Sequence, residues 1–188
     1  MHLKGRGPAG DGGPSACGAS IVPNLGEFAT MTYALDPIDD AFLTDAPIVV
    51  PATVELAATP EQVWEALGSD EMWSWAPIID QLTWRTPRPQ SAGAIRHLRL
   101  AKFVTIEEEF YRWDAPHRAT FRVTQQSRRI FDGLAEDFLV EPSATGSRLT
   151  WTMAVAPRGV PGAAGRLAPA LSAGNALAIG GIKKILPR

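Results

Sequence analysis

From Ile48 onward the apolar residues follow two alternating periods. Ile48–Ala57 (IVVPATVELA) alternates well enough for a strand, with Pro51 marking an edge or a bulge. TPEQVWEAL then switches to a helical period. Thr59 is a good N-cap, Pro60 suits the first turn, Gln62 completes a capping box and Gly68 closes the helix. Ser69–Ala76 reads as a second short helix stopped before Pro77. Period-two segments return at Leu82–Thr86, Ala94–Leu100, Phe103–Trp113, His117–Gln126, Ile130–Val140 and Arg148–Ala156, with turn residues between them. A long helix over Pro161–Leu186, with Pro169 inside it, ends the chain. The order predicts an α+β domain: about seven antiparallel strands, two short helices after the first, and a long C-terminal helix.

Residues 1–30 lack this patterning and hold seven glycines and three prolines. Such a stretch cannot bury enough apolar surface to offset its ordering entropy. The expected organisation is a poorly ordered tail over 1–46 and one domain over 47–188, with Met31 an alternative start of translation. The tail contains GRGPAG (5–10), a literal dinucleotide-loop match, but it follows no strand and opens no helix, so no nucleotide site is assigned.

Strand parity nominates the site. Arg96 shares its face with Leu98 and Leu100, and Glu108 shares its face with Val104, Ile106 and Phe110. Glu136 falls in line with Leu134 and Phe138, while Trp151 lies with Leu149, Met153 and Val155. Arg96 and Glu108 stand on consecutive strands, so a cross-strand pair forms if the register permits. A charge on an apolar face needs a partner or a shifted pKa. Glu107, Glu109 and His97 have outward parity, and His117 follows a turn. On the last helix Leu167, Leu171, Gly174, Ala178, Ile182 and Ile185 recur at three- and four-residue steps. The small residues Gly174 and Ala178 leave room for a ligand or for close packing. Trp64, Trp73 and Trp75 either join helix to sheet or wall the entrance of a cavity. The candidate ligand-binding set is Arg96, Glu108, Phe110, Glu136, Phe138, Trp151, Gly174 and Ala178, and no catalytic residue is named.

Composition narrows the chemistry. Eighteen basic and twenty acidic residues among 188 leave a net charge of −2, which is not the footprint of a nucleic-acid binder. One cysteine, Cys17, and three histidines leave no thiolate cluster or histidine-rich metal site, and no cofactor is expected. No apolar run is long enough to span a membrane, and the first residues lack a signal-peptide core. The expectation is a cytoplasmic protein with a small-molecule partner, with homodimerisation left open.

Several phrases in order, ATPEQVWEAL, EMWSWAP, EEEFYRWDAPHRATFRV, EDFLVEP and GSRLTWTM, make the chain resemble the polyketide cyclase/dehydrase-type members of the START/Bet v 1-like (SRPBCC) superfamily over about Ile48 to Val160. The resemblance implies a helix-grip fold, a curved antiparallel sheet around a long C-terminal helix with an apolar cavity between them. Members bind lipids, hormones or polyketides, and a minority catalyse cyclisation, aromatisation or dehydration without a cofactor. They share no single functional motif, so no catalytic residue transfers. The implied function is binding of a hydrophobic small molecule. A cofactor-free cyclase, aromatase or dehydrase is the alternative, and a protein-interaction module is the second.

Overall fold

The structure, a computed structural model, describes residues 30, 33–159 and 162–187. Of the stretch 1–30 expected to be disordered, residues 1–29 lie outside the described residues, as do the GRGPAG segment and the start at Met31. Among those described, the strands are β1 (Tyr33–Ala34), β2 (Ile48–Leu56), β3 (Ile79–Trp84), β4 (Ala94–Leu100), β5 (Val104–Asp114), β6 (Arg118–Gln126), β7 (Phe131–Ser143) and β8 (Gly146–Pro157). The helices are α1 (Phe42–Asp45), α2 (Pro60–Leu67) and α3 (Ala163–Gly180), the last continued by a 3-10 turn over Gly181–Lys184. All strands pair antiparallel in the order β2-β8-β7-β6-β5-β4-β3, with β1 added beside β6. This is the helix-grip architecture: a curled antiparallel sheet, a short helix after its first long strand, and a C-terminal helix.

The local signals at α2 act as read. Thr59 Oγ1 accepts from the Gln62 backbone N–H while Gln62 Oε1 accepts from the Thr59 N–H, so the capping box is closed in both directions. Val63, Ala66 and Leu67 bury the inner face of this helix.

The second short helix takes a looser form. Residues 70–75 wind as consecutive turns, in which Ser74 N–H bonds Glu71 O and Ala76 N–H bonds Trp73 O. Trp73 breaks the winding because its φ is +71°, in the left-handed region, and its indole is buried against Trp151 at 4.6 Å between centroids. Burying so large a ring is worth several times the backbone cost.

The expected tail reached residue 46, yet residues 33–46 pack on the sheet. Leu43 is buried with Ala135 and Ala154, and Ile38, Phe42, Ala46 and Val49 lie around them. These positions have outward parity, so α1 covers the face opposite the main core. Small residues make the recess: a Cβ at Gly133 would come within 2.8 Å of the Phe42 ring.

The last helix sits rotated from the expected face. Its buried residues are Asn175 and Ile179, followed by Ile182 in the 3-10 turn, while Leu171 and Ala178 are half-buried and Leu167 and Gly174 are exposed. Asn175 fixes the rotation. Its Nδ2 donates to Val50 O on β2 at 2.7 Å and to Trp151 O on β8 at 3.3 Å. An apolar period cannot locate a helix whose contact face is centred on an amide.

Candidate functional site

The inner face of the sheet carries three ionisable groups, Arg96, Glu108 and Glu136, one on each of β4, β5 and β7. Arg96 and Glu108 are direct cross-strand partners in the β4–β5 register, 1% and 3% exposed. Arg96 Nε donates to Glu108 Oε2 at 2.7 Å, and its Nη2 donates to the same oxygen. The guanidinium is boxed by the rings of Trp84, Phe110 and Phe121, whose centroids lie 5.3, 4.9 and 5.0 Å from Cζ. Buried cation–π contacts of this kind contribute up to ~2 kcal/mol. Phe110 therefore serves the arginine and does not reach the open space above it.

Glu136 of β7 faces Phe121 across the β6–β7 pairing and is 7% exposed. Its Oε2 accepts from the Trp151 indole N–H at 2.8 Å, and its Oε1 has no hydrogen-bond partner among the described residues. Burial raises both carboxyls, but their surroundings separate them. At Glu108 the charge and hydrogen bonds of Arg96 pull the other way. Glu136 is hydrogen-bonded by the indole and by no arginine, so burial first and then the like charge of Glu108 push it up to about 8, against a lesser pull from the Arg96 charge. One cation cannot neutralise two buried carboxylates. At neutral pH the proton resides on Glu136, the carboxyl without an arginine of its own, and the three groups together are uncharged.

Above this cluster lies a cavity of about 400 Å³ between the sheet, α3 and the turns at 70–79. Leu98, Ile106, Leu134, Met153 and Leu171 make much of its wall, and Trp73 covers one side. Glu108 and Glu136 line its base; Arg158 also lines it, with its side chain partly exposed and paired to Asp132 at 2.6 Å. Exposed Ile78 and Leu167 mark where the cavity meets solvent.

Of the eight residues nominated from sequence, Glu108, Glu136, Trp151 and Ala178 line this cavity. Arg96, Phe110 and Phe138 lie buried behind its wall. Gly174 points elsewhere: a Cβ there meets nothing within 4 Å, and it borders a separate outer groove with Trp75 and Leu177. The helix rotation set by Asn175 turns it away. Asn175 was missed, although a lone amide inside SAGNALAIGG was the available signal. Trp73 fills both roles open to it from sequence: it packs on Trp151 of the sheet and walls the cavity. His97 has its outward place, 3.0 Å from Glu107. Among the described residues no helix is long and apolar enough to cross a membrane.

Residues 47–184 match the family model described as polyketide cyclase/dehydrase and lipid transport. An uncharacterized protein of Mycobacterium tuberculosis is 37% identical over 123 residues, covering 65% of this chain and 74% of that one. A START superfamily protein from Mycobacterium smegmatis superposes with a TM-score of 0.60 at 18% identity, over 73% of this chain and 98% of the other. Ara h 8.0201 does so with a TM-score of 0.52 at 13% identity, over 71% and 95%. Sequence match and shared architecture agree, and the chain belongs to the polyketide cyclase/dehydrase and lipid-transport family of the START/Bet v 1-like superfamily.

Proposed function

We propose that the protein binds a hydrophobic small molecule in the cavity between the sheet and α3. The observation that carries this reading is the cavity itself: about 400 Å³, apolar in its walls, with polar groups gathered at the base. Ligand sites have this size and this distribution of polarity. At roughly 30 Å³ per water, the space equals about thirteen waters, so the occupant has about that many non-hydrogen atoms or somewhat more. A second reading, cofactor-free catalysis on the bound molecule, is favoured by the Glu136 carboxyl at about 8, since an acid that titrates near neutrality can also donate a proton.

The test is uptake of the uncharged dye N-phenyl-1-naphthylamine, whose emission rises and shifts blue in apolar surroundings. The wild type should bind it with one site per chain. Ala178→Phe, which fills the space, should lose uptake while unfolding within ~1 kcal/mol of the wild type. No dye uptake by the wild type, or an Ala178→Phe variant that is destabilised yet binds dye normally, would overturn the reading.

A further inference from the structure

The charged groups at the base of the cavity also specify what the ligand's polar end must be, an inference that rests on the cavity being a ligand site. Arg96 is unavailable to a ligand: it is 1% exposed, boxed by three rings and held by Glu108 through two nitrogens. A carboxylate entering the cavity would therefore meet two carboxyls on the sheet, while the other cation in the lining, Arg158, is paired to Asp132 at its exposed side. Glu136 is the opposite case. It lines the cavity, its Oε2 is occupied by the Trp151 indole, and its Oε1 has no partner among the described residues. A buried carboxyl that keeps its proton must donate it to something, and no described residue accepts it.

We infer that Glu136 is a specificity-determining hydrogen-bond donor, and that the cavity selects uncharged apolar molecules ending in a carbonyl oxygen over molecules of the same shape that end in a carboxylate or carry no acceptor. The groups facing Glu136 from its neighbours agree with this. Glu108 on β5 adds negative charge, Arg96 on β4 is spent on Glu108, β6 presents Phe121, and β8 presents the Trp151 N–H. From above, α3 contributes Leu171 and Ala178 and the 70–79 turns contribute Trp73 and Ala76, none of which titrates. Arg158 lies opposite Asp132, towards solvent.

The selectivity depends on pH. Below about 8 the carboxyl donates to a carbonyl; above that value it is a carboxylate and repels the same oxygen. Three isosteric probes of about thirteen non-hydrogen atoms fit the available volume: 2-acetylnaphthalene, 2-isopropenylnaphthalene and 2-naphthoate. Their affinities are measured by displacement of N-phenyl-1-naphthylamine at about pH 6 and about pH 10, on either side of the Glu136 transition. At the lower pH the ketone should bind about tenfold more tightly than the alkene, the worth of one hydrogen bond, and naphthoate at least about tenfold more weakly than the ketone. At the higher pH the ketone should lose its advantage while the alkene is unchanged. Glu136→Gln keeps an N–H donor and cannot ionise, so its ketone preference should persist at both pH values.

Equal binding of all three probes would overturn the inference and leave the cavity reading standing. Tightest binding of naphthoate would overturn it by assigning the base of the cavity to anions. A wild-type ketone preference that survives unchanged to about pH 10 would show that the donor is not Glu136. Failure of every probe and of the dye would sink the cavity reading itself. The wild-type pH series decides the matter even if Glu136→Gln does not fold.

Discussion

Replacing Arg96 by methionine tests the charge arrangement most directly. Methionine fills similar volume among Trp84, Phe110 and Phe121 but leaves Glu108 without its cation. At hydrogen-bond contact and an effective dielectric near 20, such a pair is worth about 4 kcal/mol, and removing one partner of a buried pair costs ~3–5 kcal/mol. That is a large share of the ~5–15 kcal/mol by which a domain is stable. The pH dependence separates this charge effect from lost packing. Without Arg96, burial holds both Glu108 and Glu136 in the neutral form, so the folded variant binds protons that the unfolded chain releases above about pH 4.3. The cost should accordingly be full near pH 7 and shrink to ~1 kcal/mol near pH 4, where the unfolded chain is protonated too. The assay is urea unfolding followed by tryptophan fluorescence, since Trp73, Trp84 and Trp151 surround the site. Arg96→Met/Glu108→Leu, which removes both partners, should recover most of the loss. A cost that is the same at both pH values, or below ~1 kcal/mol near neutrality, would refute the reasoning.

Two further outcomes follow from the same geometry. Glu136 has a raised carboxyl pKa in the fold, so its contribution to stability is greatest in acid and is lost as pH rises from about 4.5 to about 8; across that window the wild type should lose up to ~5 kcal/mol that Glu136→Gln does not, measured by urea midpoints along a pH series. Gly146→Ala should cost ~2 kcal/mol or more in melting experiments with unchanged cavity binding, because φ there is +141° and a Cβ would sit 2.5 Å from the Leu56 carbonyl oxygen; near-wild-type melting would show that the β7–β8 turn relaxes freely.

What the sequence disclosed and what it withheld divide along a physical line. A strand's period is a local property, so parity alone was enough to place Arg96, Glu108 and Glu136 on the inner face, where all three are found. The cap at Thr59 is equally local, since its donors and acceptors lie within four residues. Register is not local: that Arg96 stands directly opposite Glu108 depends on how the hairpin closes, which the intervening turn does not announce. The rotation of α3 is less local still. It is set by one amide reaching carbonyls more than twenty residues away at the nearest, so the apolar stripe of the helix lies off the contact face, with Gly174 out of the cavity and Ala178 in it. Residues 38–46 show the same limit, because the recess that receives Phe42 and Leu43 is made by Gly133, Ala135 and Ala154, small outward residues that look like unremarkable alternation in their own strands.

Protonation lies furthest from what a one-dimensional reading can reach. Parity counts three inward ionisable groups with a net charge of −1, and burial forbids that sum. Which carboxyl takes the compensating proton turns on neighbours: Glu108 has two nitrogens of Arg96, and Glu136 has one indole N–H. Glu108, the residue with the stronger claim from sequence because a cation lies one strand away, is thereby tied up in structure. Glu136, hydrogen-bonded to no cation, is left with a proton and an unpaired oxygen at an apolar cavity, and the chemistry open to a ligand passes to it.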